Sequence, residues 1–265
     1  MGTESASDLL VSEVFSAIQG EGALVGTRQV FLRMTGCNIR CSYCDQPEAL
    51  EKLPGPCRIE RTPGRRDWDV LQSPLPVETV VEAVDGLWRA MPHHSVSVTG
   101  GEPLMQSKRL AGLFRQLTGL GIPLMAETNG TLVRALEELI GWLTFISMDV
   151  KLPSVDSEKV DPAVQRRFLD VALAAGVDTW VKIVVGPDTD PGELADAVAM
   201  VAEVASGGSG GSGGAPVVYL QPVTPFAAVT RGPSPDQVLD LQELALRIYP
   251  EVRVVPQTHK AIGQL

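Results

Sequence analysis

The strongest constraint on this chain is a regular alternation of short apolar runs with amphipathic stretches, sustained over most of its 265 residues. Strand-like runs fall at 29–34, 95–98, 122–127, 145–149, 180–185 and 217–221, each rich in Val, Ile, Leu or Phe and bounded by Gly, Pro or acidic residues. Helical patterns lie between them. Residues 76–88 put Val77, Val80, Val81, Val84 and Trp88 at helical spacing, and 108–120, 133–143, 161–175 and 192–205 behave alike. Asp161-Pro162 and Asp190-Pro191 each set a capping residue before proline at the first helical position. A further helix is expected at 235–248 and a short last strand at 252–255. Six strand–helix units predict an α/β fold with a mostly parallel sheet. Six fall short of a closed eight-unit barrel, so the expectation is a partial (βα)6 barrel, one domain over 1–265, with ligands at the carboxyl ends of the strands.

Two segments break the rhythm. Residues 48–76 are rich in Pro, Arg and Gly without periodicity and read as an irregular insertion. Residues 207–214 read GGSGGSGG, a flexible linker composition.

Apolar residues make up 44% of the chain and charged residues 20%, so neither disorder nor a fibrous structure is expected. A net charge of −10 without a basic block repels phosphate backbones, which argues against nucleic acid as a partner. No uncharged apolar run approaches the roughly 18 residues of a membrane span. Residues 1–8 carry acids and no apolar stretch, unlike a secretory signal. A soluble cytoplasmic protein is expected, and in that compartment clustered cysteines suggest a metal rather than a disulfide.

Three of the four cysteines are clustered. Cys37, Cys41 and Cys44 form a Cys-x-x-x-Cys-x-x-Cys loop just after the first strand. Three thiolates on one loop can hold three irons of a cubane cluster and leave the fourth iron open. The alternative is a zinc site completed by a distant His or Cys, although the three histidines (His93, His94, His259) lack knuckle spacing. Cys57 lies in the insertion and reads as an incidental thiol.

With Tyr43 before the last cysteine, this triad resembles the signature of radical S-adenosylmethionine (SAM) enzymes. The resemblance implies a 4Fe-4S cluster whose open iron is chelated by SAM, and a SAM-derived adenosyl radical that takes hydrogen from the substrate. It also implies SAM contacts from Tyr43 and Asp45, and from Gly100, Gly101 and Glu102 of Thr99-Gly-Gly-Glu-Pro103. Further SAM contacts would come from Ser147, Asp149 and Lys151, and from Gln221, Pro222, Val223 and Thr224. Gly20, Gly22, Gly100 and Gly101 are expected where backbone presses against ligands.

The segment Phe15-Ser-Ala-Ile-Gln-Gly-Glu-Gly22, with Arg33 downstream and Gln257-Thr-His-Lys-Ala-Ile-Gly263 at the other end, narrows the resemblance. Together these are similar to the 7-carboxy-7-deazaguanine synthases of the 7-deazapurine (queuosine precursor) pathway. Those lyases contract the ring of a carboxylated tetrahydropterin with loss of ammonia. By that resemblance Ile18, Gln19, Gly20, Glu21, Arg33, Thr99 and His259 would contact substrate. Glu21 could accept two parallel hydrogen bonds from an amidine-like N–H pair, and the Arg33 fork could hold a carboxylate. No side chain need carry the radical. The family holds Mg²⁺ through a hydroxyl residue two positions after the third cysteine, where this chain has Gln46, a longer amide donor. A flavodoxin-like or other electron donor and a homodimer are also implied. The alternative enzyme is a glycyl-radical activating enzyme, which shares the triad but needs a protein-docking groove rather than a small carboxylate pocket.

Overall fold

A computed structural model describes residues 8–51, 55–156, 159–207, 214–226 and 229–264. Ten strands join in one sheet: β1 (Val11–Ile18), β2 (Arg28–Met34), β3 (Pro56–Glu60), β4 (Trp68–Gln72), β5 (Ser95–Gly100), β6 (Leu124–Thr128), β7 (Phe145–Val150), β8 (Asp178–Val185), β9 (Val218–Pro222) and β10 (Val252–Val254). Their order is β10-β9-β8-β7-β6-β5-β2-β1-β3-β4, parallel from β10 through to β2. The helices are α1 (Val77–Ala90), α2 (Ser107–Gly119), α3 (Val133–Leu139), α4 (Pro162–Ala174), α5 (Pro191–Gly207), α6 (Pro235–Ile248) and α7 (Thr258–Ala261). The six expected strands are β2, β5, β6, β7, β8 and β9, and the sheet stays open, with β4 and β10 at its edges. No helix among the described residues is long and apolar enough to cross a membrane.

The expected caps form. Asp161 accepts from the N–H of Ala163 at 2.9 Å, and Asp190 from that of Glu193 at 2.9 Å. Each satisfies a helical N–H that has no partner within the helix.

Strand side chains alternate between two faces, and here the faces differ in kind. Val30, Leu32, Val96, Val98, Leu124, Ile146, Met148, Val181, Ile183 and Leu220 join one core with Val80, Val84, Leu110, Leu113, Phe114, Leu136, Phe168, Leu169, Leu194 and Val198 of the helices. Burying a large aliphatic side chain contributes about 1.5–3 kcal/mol, so this face holds the helices on. The opposite face carries Gln29, Arg33, Ser95, Ser97, Thr99, Glu127, Ser147, Asp149, Lys182 and Gln221. Near the amino ends of the strands that face is apolar, where Met125, Trp180 and Tyr219 pack with Leu24 and Phe145. The charged groups therefore lie toward the carboxyl ends, while Gln29 and Ser95, at the amino ends of β2 and β5, bond each other at 2.7 Å.

Two expectations are corrected. Residues 48–76 are not an irregular insertion throughout, because β3 and β4 form an antiparallel hairpin that extends the sheet through β1. β1, which precedes the first strand expected from the sequence, pairs antiparallel with β2. An edge hairpin buries little of itself (β4 is exposed from Asp69 to Gln72), so its sequence lacks the apolar alternation that reveals central strands. Cys57 on β3 is fully buried in the helix-side core, where desolvation pushes its thiol up to about 12. Of the Gly/Ser segment, 208–213 lie outside the described residues.

Candidate active site

At the carboxyl ends of the strands lies a cavity of about 210 Å³. Cys37, Cys41 and Cys44 open onto it, half-buried and unpaired. Their loop is tied down by backbone bonds from Gly36 to Ala49 (2.8 Å) and from Cys37 to Leu50 (3.0 Å). Ser42 adds a bond from its hydroxyl to the Val155 carbonyl at 2.8 Å. Burial pushes all three thiols above their ordinary value, so a cationic partner is needed to form the thiolates. Among the described residues no three His, Cys, Asp or Glu side chains converge on one ion position. Three thiols on one loop that face a shared cavity suit a cluster in which each sulfur takes its own iron.

The glycine-rich turn after β5 abuts this loop, and its tight contacts are with protein. A Cβ on Gly100 would lie 2.1 Å from the Met34 carbonyl oxygen, and one on Gly101 would lie 2.2 Å from that of Gly36. Gly20 and Gly22 likewise press against the His259 ring and the Trp180 indole. Of these four glycines, expected where backbone meets ligands, Gly20, Gly100 and Gly101 line the cavity and Gly22 does not. Glu102 sits behind the wall, fully buried. Its carboxylate accepts from the N–H groups of Leu104 (3.1 Å) and Asn129 (2.8 Å) and from the Thr128 hydroxyl (2.8 Å). Burial outweighs those bonds and raises its pKa to about 7.

A charged network crosses the cavity. Lys182 donates to Glu21 at 2.8 Å and approaches Asp149 at 3.4 Å. Lys151 bonds Asp149 and the Tyr43 hydroxyl, each at 2.9 Å. Burial opposes the charge on both lysines, but the neighbouring carboxylates win and hold both above the ordinary lysine value. Burial likewise pushes the Glu21 carboxyl up, yet Lys182 and the Gln257 hydrogen bond together leave it below the usual range. Gln257 donates to Glu21 at 2.9 Å and to Asp45 at 3.1 Å, and Lys260 pairs with Asp45 at 3.1 Å. Thr258 bonds the Gly20 carbonyl through its N–H (3.0 Å) and its hydroxyl (3.1 Å), pinning this segment to the Gly20 loop.

Two further groups are held in place. The Arg33 Nε donates to Glu13 at 2.8 Å, and the guanidinium lies 5.5 Å from the Phe15 ring centroid. Glu13 also binds Arg58 of the β3–β4 hairpin. Gln19 donates to Glu127 at 3.0 Å, and Ser97 donates to the same oxygen at 2.6 Å.

Of the residues expected to meet cluster, SAM, substrate or Mg²⁺, the cavity gathers all except Gly22, Glu102 and Pro222, Gln46 and His259 included. It adds Glu127, Asn129 and Lys182, which no sequence motif suggested, and Gln257, which opens the 257–263 motif but has no role implied there. The signal for Glu127 and Lys182 was an isolated charge within an apolar strand, in Leu-Met-Ala-Glu-Thr and Trp-Val-Lys-Ile-Val.

A parallel sheet with three cysteines on the loop after its first parallel strand defines a class, and residues 31–201 match the Radical SAM superfamily, to which the chain belongs. It is 41% identical to the 7-carboxy-7-deazaguanine synthase of Geobacter sulfurreducens, over 96% of this chain and 97% of that one. With the synthase of the same name from Methanopyrus kandleri it shares 35% identity over 96% and 93%. Within the superfamily its place is therefore in the 7-carboxy-7-deazaguanine synthase family. The crystal structure of QueE from Escherichia coli has the same fold, with a TM-score of 0.55 at 19% identity over 94% of each chain. These relatives set aside the glycyl-radical activase reading.

Proposed function

We propose that this chain converts 6-carboxy-5,6,7,8-tetrahydropterin to 7-carboxy-7-deazaguanine with loss of ammonia. The observation that carries this reading is a single cavity with three free thiols on one wall and an anchored Glu21 and Arg33 on others.

The residues fit both cofactors. Cys37, Cys41 and Cys44 would hold the 4Fe-4S cluster. Asp149 Oδ1 and Gln221 Oε1 are buried acceptors without a partner among the described residues, and they suit the ammonium, hydroxyl and amino donors of SAM. Tyr43, Asp45, Gly100, Gly101, Ser147, Lys151, Val223 and Thr224 complete that side. When bound, the reduced cluster and SAM together supply the removal of a hydrogen atom from the substrate. The chain's part is placement and exclusion of water. Gln19 and Glu21 would read the guanine-like edge, Arg33 the carboxylate, and Ile18, Gly20, Thr99 and His259 the remaining outline. Glu102 acts one layer back by holding the 128–129 turn and the turn at 103–106, and Pro222 ends its strand.

Gln46, whose side-chain amide oxygen is a hard donor lining the cavity, would be the chain's ligand to Mg²⁺, with the substrate supplying others. Turnover in chelated buffer should rise when Mg²⁺ is added, and an unchanged rate removes the metal role. A flavodoxin-like or other one-electron donor, a homodimer and a single domain complete the reading. The test is anaerobic turnover with 6-carboxytetrahydropterin, SAM and reductant, followed by chromatography. Absence of deazapurine from fully cluster-loaded enzyme refutes it.

A further inference from the structure

Lys182 belongs to none of the motifs in the sequence, yet the carboxylates of the cavity are arranged around it. It projects from β8 with a side chain only 15% exposed. Glu21 takes its closest contact, Asp149 the next, and Glu127 lies within its electrostatic reach. Lys151 cannot take its place, because that ammonium is occupied by Asp149 and the Tyr43 hydroxyl. Among the described residues Lys182 is the one cation in hydrogen-bond contact with Glu21.

The other groups facing Glu21 do not keep it charged unaided. Gln257 is neutral, and it binds the second Glu21 oxygen. Asp45, from the cysteine loop, adds a like charge, and the Lys260 ammonium is taken up by Asp45. On the far side of Lys182 stand Asp149 and Lys151 from β7 and Glu127 from β6. With Lys182 removed, burial and Asp45 would both favour the protonated acid. A protonated Glu21 presents an O–H to a substrate edge that itself offers N–H groups, so donor meets donor.

We propose that Lys182 is a positioning residue for substrate recognition, which keeps Glu21 an ionised double acceptor for the paired N–H edge of the pterin ring. The role rests on the proposed function, since it assigns Glu21 to that edge. Lys182 also shares Asp149 with Lys151, so the one ammonium ties the substrate-reading wall to the wall proposed for SAM.

The probe is 6-carboxypterin, titrated by anaerobic equilibrium dialysis into cluster-loaded protein with SAM present. Wild type, Lys182→Met, Lys182→Arg and Glu21→Gln are compared from about pH 5.5 to about pH 7.5, a range over which a buried carboxyl without its cation titrates. Each affinity is taken relative to wild type at the same pH, which cancels titration of the pterin. Lys182→Met should bind roughly tenfold more weakly at the acid end and recover as the pH rises. Lys182→Arg should stay within about threefold at every pH, because it restores a cation. Glu21→Gln should be weak without a pH trend. Iron content and melting temperature of each variant report whether the fold is kept. A Lys182→Met ratio that does not change with pH overturns the proposal, whether affinity is retained or uniformly lost. Failure of wild type to bind the pterin at all refutes the substrate assignment instead.

Discussion

Replacing Gly100 with alanine separates two reasons for a glycine to stand at the end of β5. Its φ is +121°, and an added Cβ would meet the Met34 carbonyl oxygen at 2.1 Å and the Met34 nitrogen at 2.5 Å. These atoms belong to the backbone of β2, with Met34 and Gly100 as register partners, so no side chain can swing aside. Holding an L-residue in that region costs about 1–3 kcal/mol. Forcing a methyl group between paired strands costs about another 1–3 kcal/mol. The sum is about 2–6 kcal/mol, which for a chain of this length lowers the melting temperature by roughly 10 °C. Circular dichroism melts of the protein without cluster or SAM should show this loss. Gly26→Ala is the control, with φ +87° but nothing within 4 Å of the added Cβ, and should lose only about 1 kcal/mol. Had Gly100 been selected for contact with SAM alone, the alanine variant would melt like wild type and only SAM binding would fall. That outcome would refute the packing account.

Other perturbations reach different parts of the molecule. Glu102 has an ordinary value of 4.5 that burial raises to about 7, so the folded state binds the extra proton between them. Stability should be greatest below that window and fall by about 3 kcal/mol as the pH rises through it; Glu102→Gln should remove this slope in urea titrations. Glu13→Gln breaks a pair whose side chains are 14% and 11% exposed, freeing Arg33. It should raise KM for the pterin several-fold more than it lowers kcat, at a stability cost of roughly 3 kcal/mol. Arg58→Met removes only the half-exposed partner and should cost under about 1 kcal/mol. Thiol labelling of the native, cluster-free protein should modify Cys37, Cys41 and Cys44, and reach buried Cys57 only after denaturation; equal labelling rates at all four would contradict the burial.

The central architecture was legible because its strands and helices carry their own periodicity. Burial on the helix side sets Val, Leu, Ile or Met at most alternate positions of the central strands, and the Asp-Pro caps mark where α4 and α5 begin. The cysteine loop and the Gly-Gly-Glu-Pro turn were legible as compact local motifs. Lys182 and Glu127 were not, because one charge in an apolar strand looks like an exception until neighbouring strands line up their own exceptions beside it. The hairpin failed for the opposite reason. Arg58, Asp69 and Gln72 face solvent at a sheet edge, where no burial imposes a pattern. Long-range pairs such as Glu13 with Arg33 and Arg58 have no signature at all in a single sequence.

The pinning of Gln257 and Thr258 onto the Gly20 loop also sets a timetable. Gln257 reaches Glu21 across 236 residues of chain, and Asp45, beside the cysteines, across 212. At about 5–20 residues per second, a ribosome needs roughly 10–50 s to make the intervening chain. The cysteine loop is therefore finished long before this wall can close over it. In that interval Asp45 and Glu21 lack the Gln257 side chain that bridges them in the finished chain.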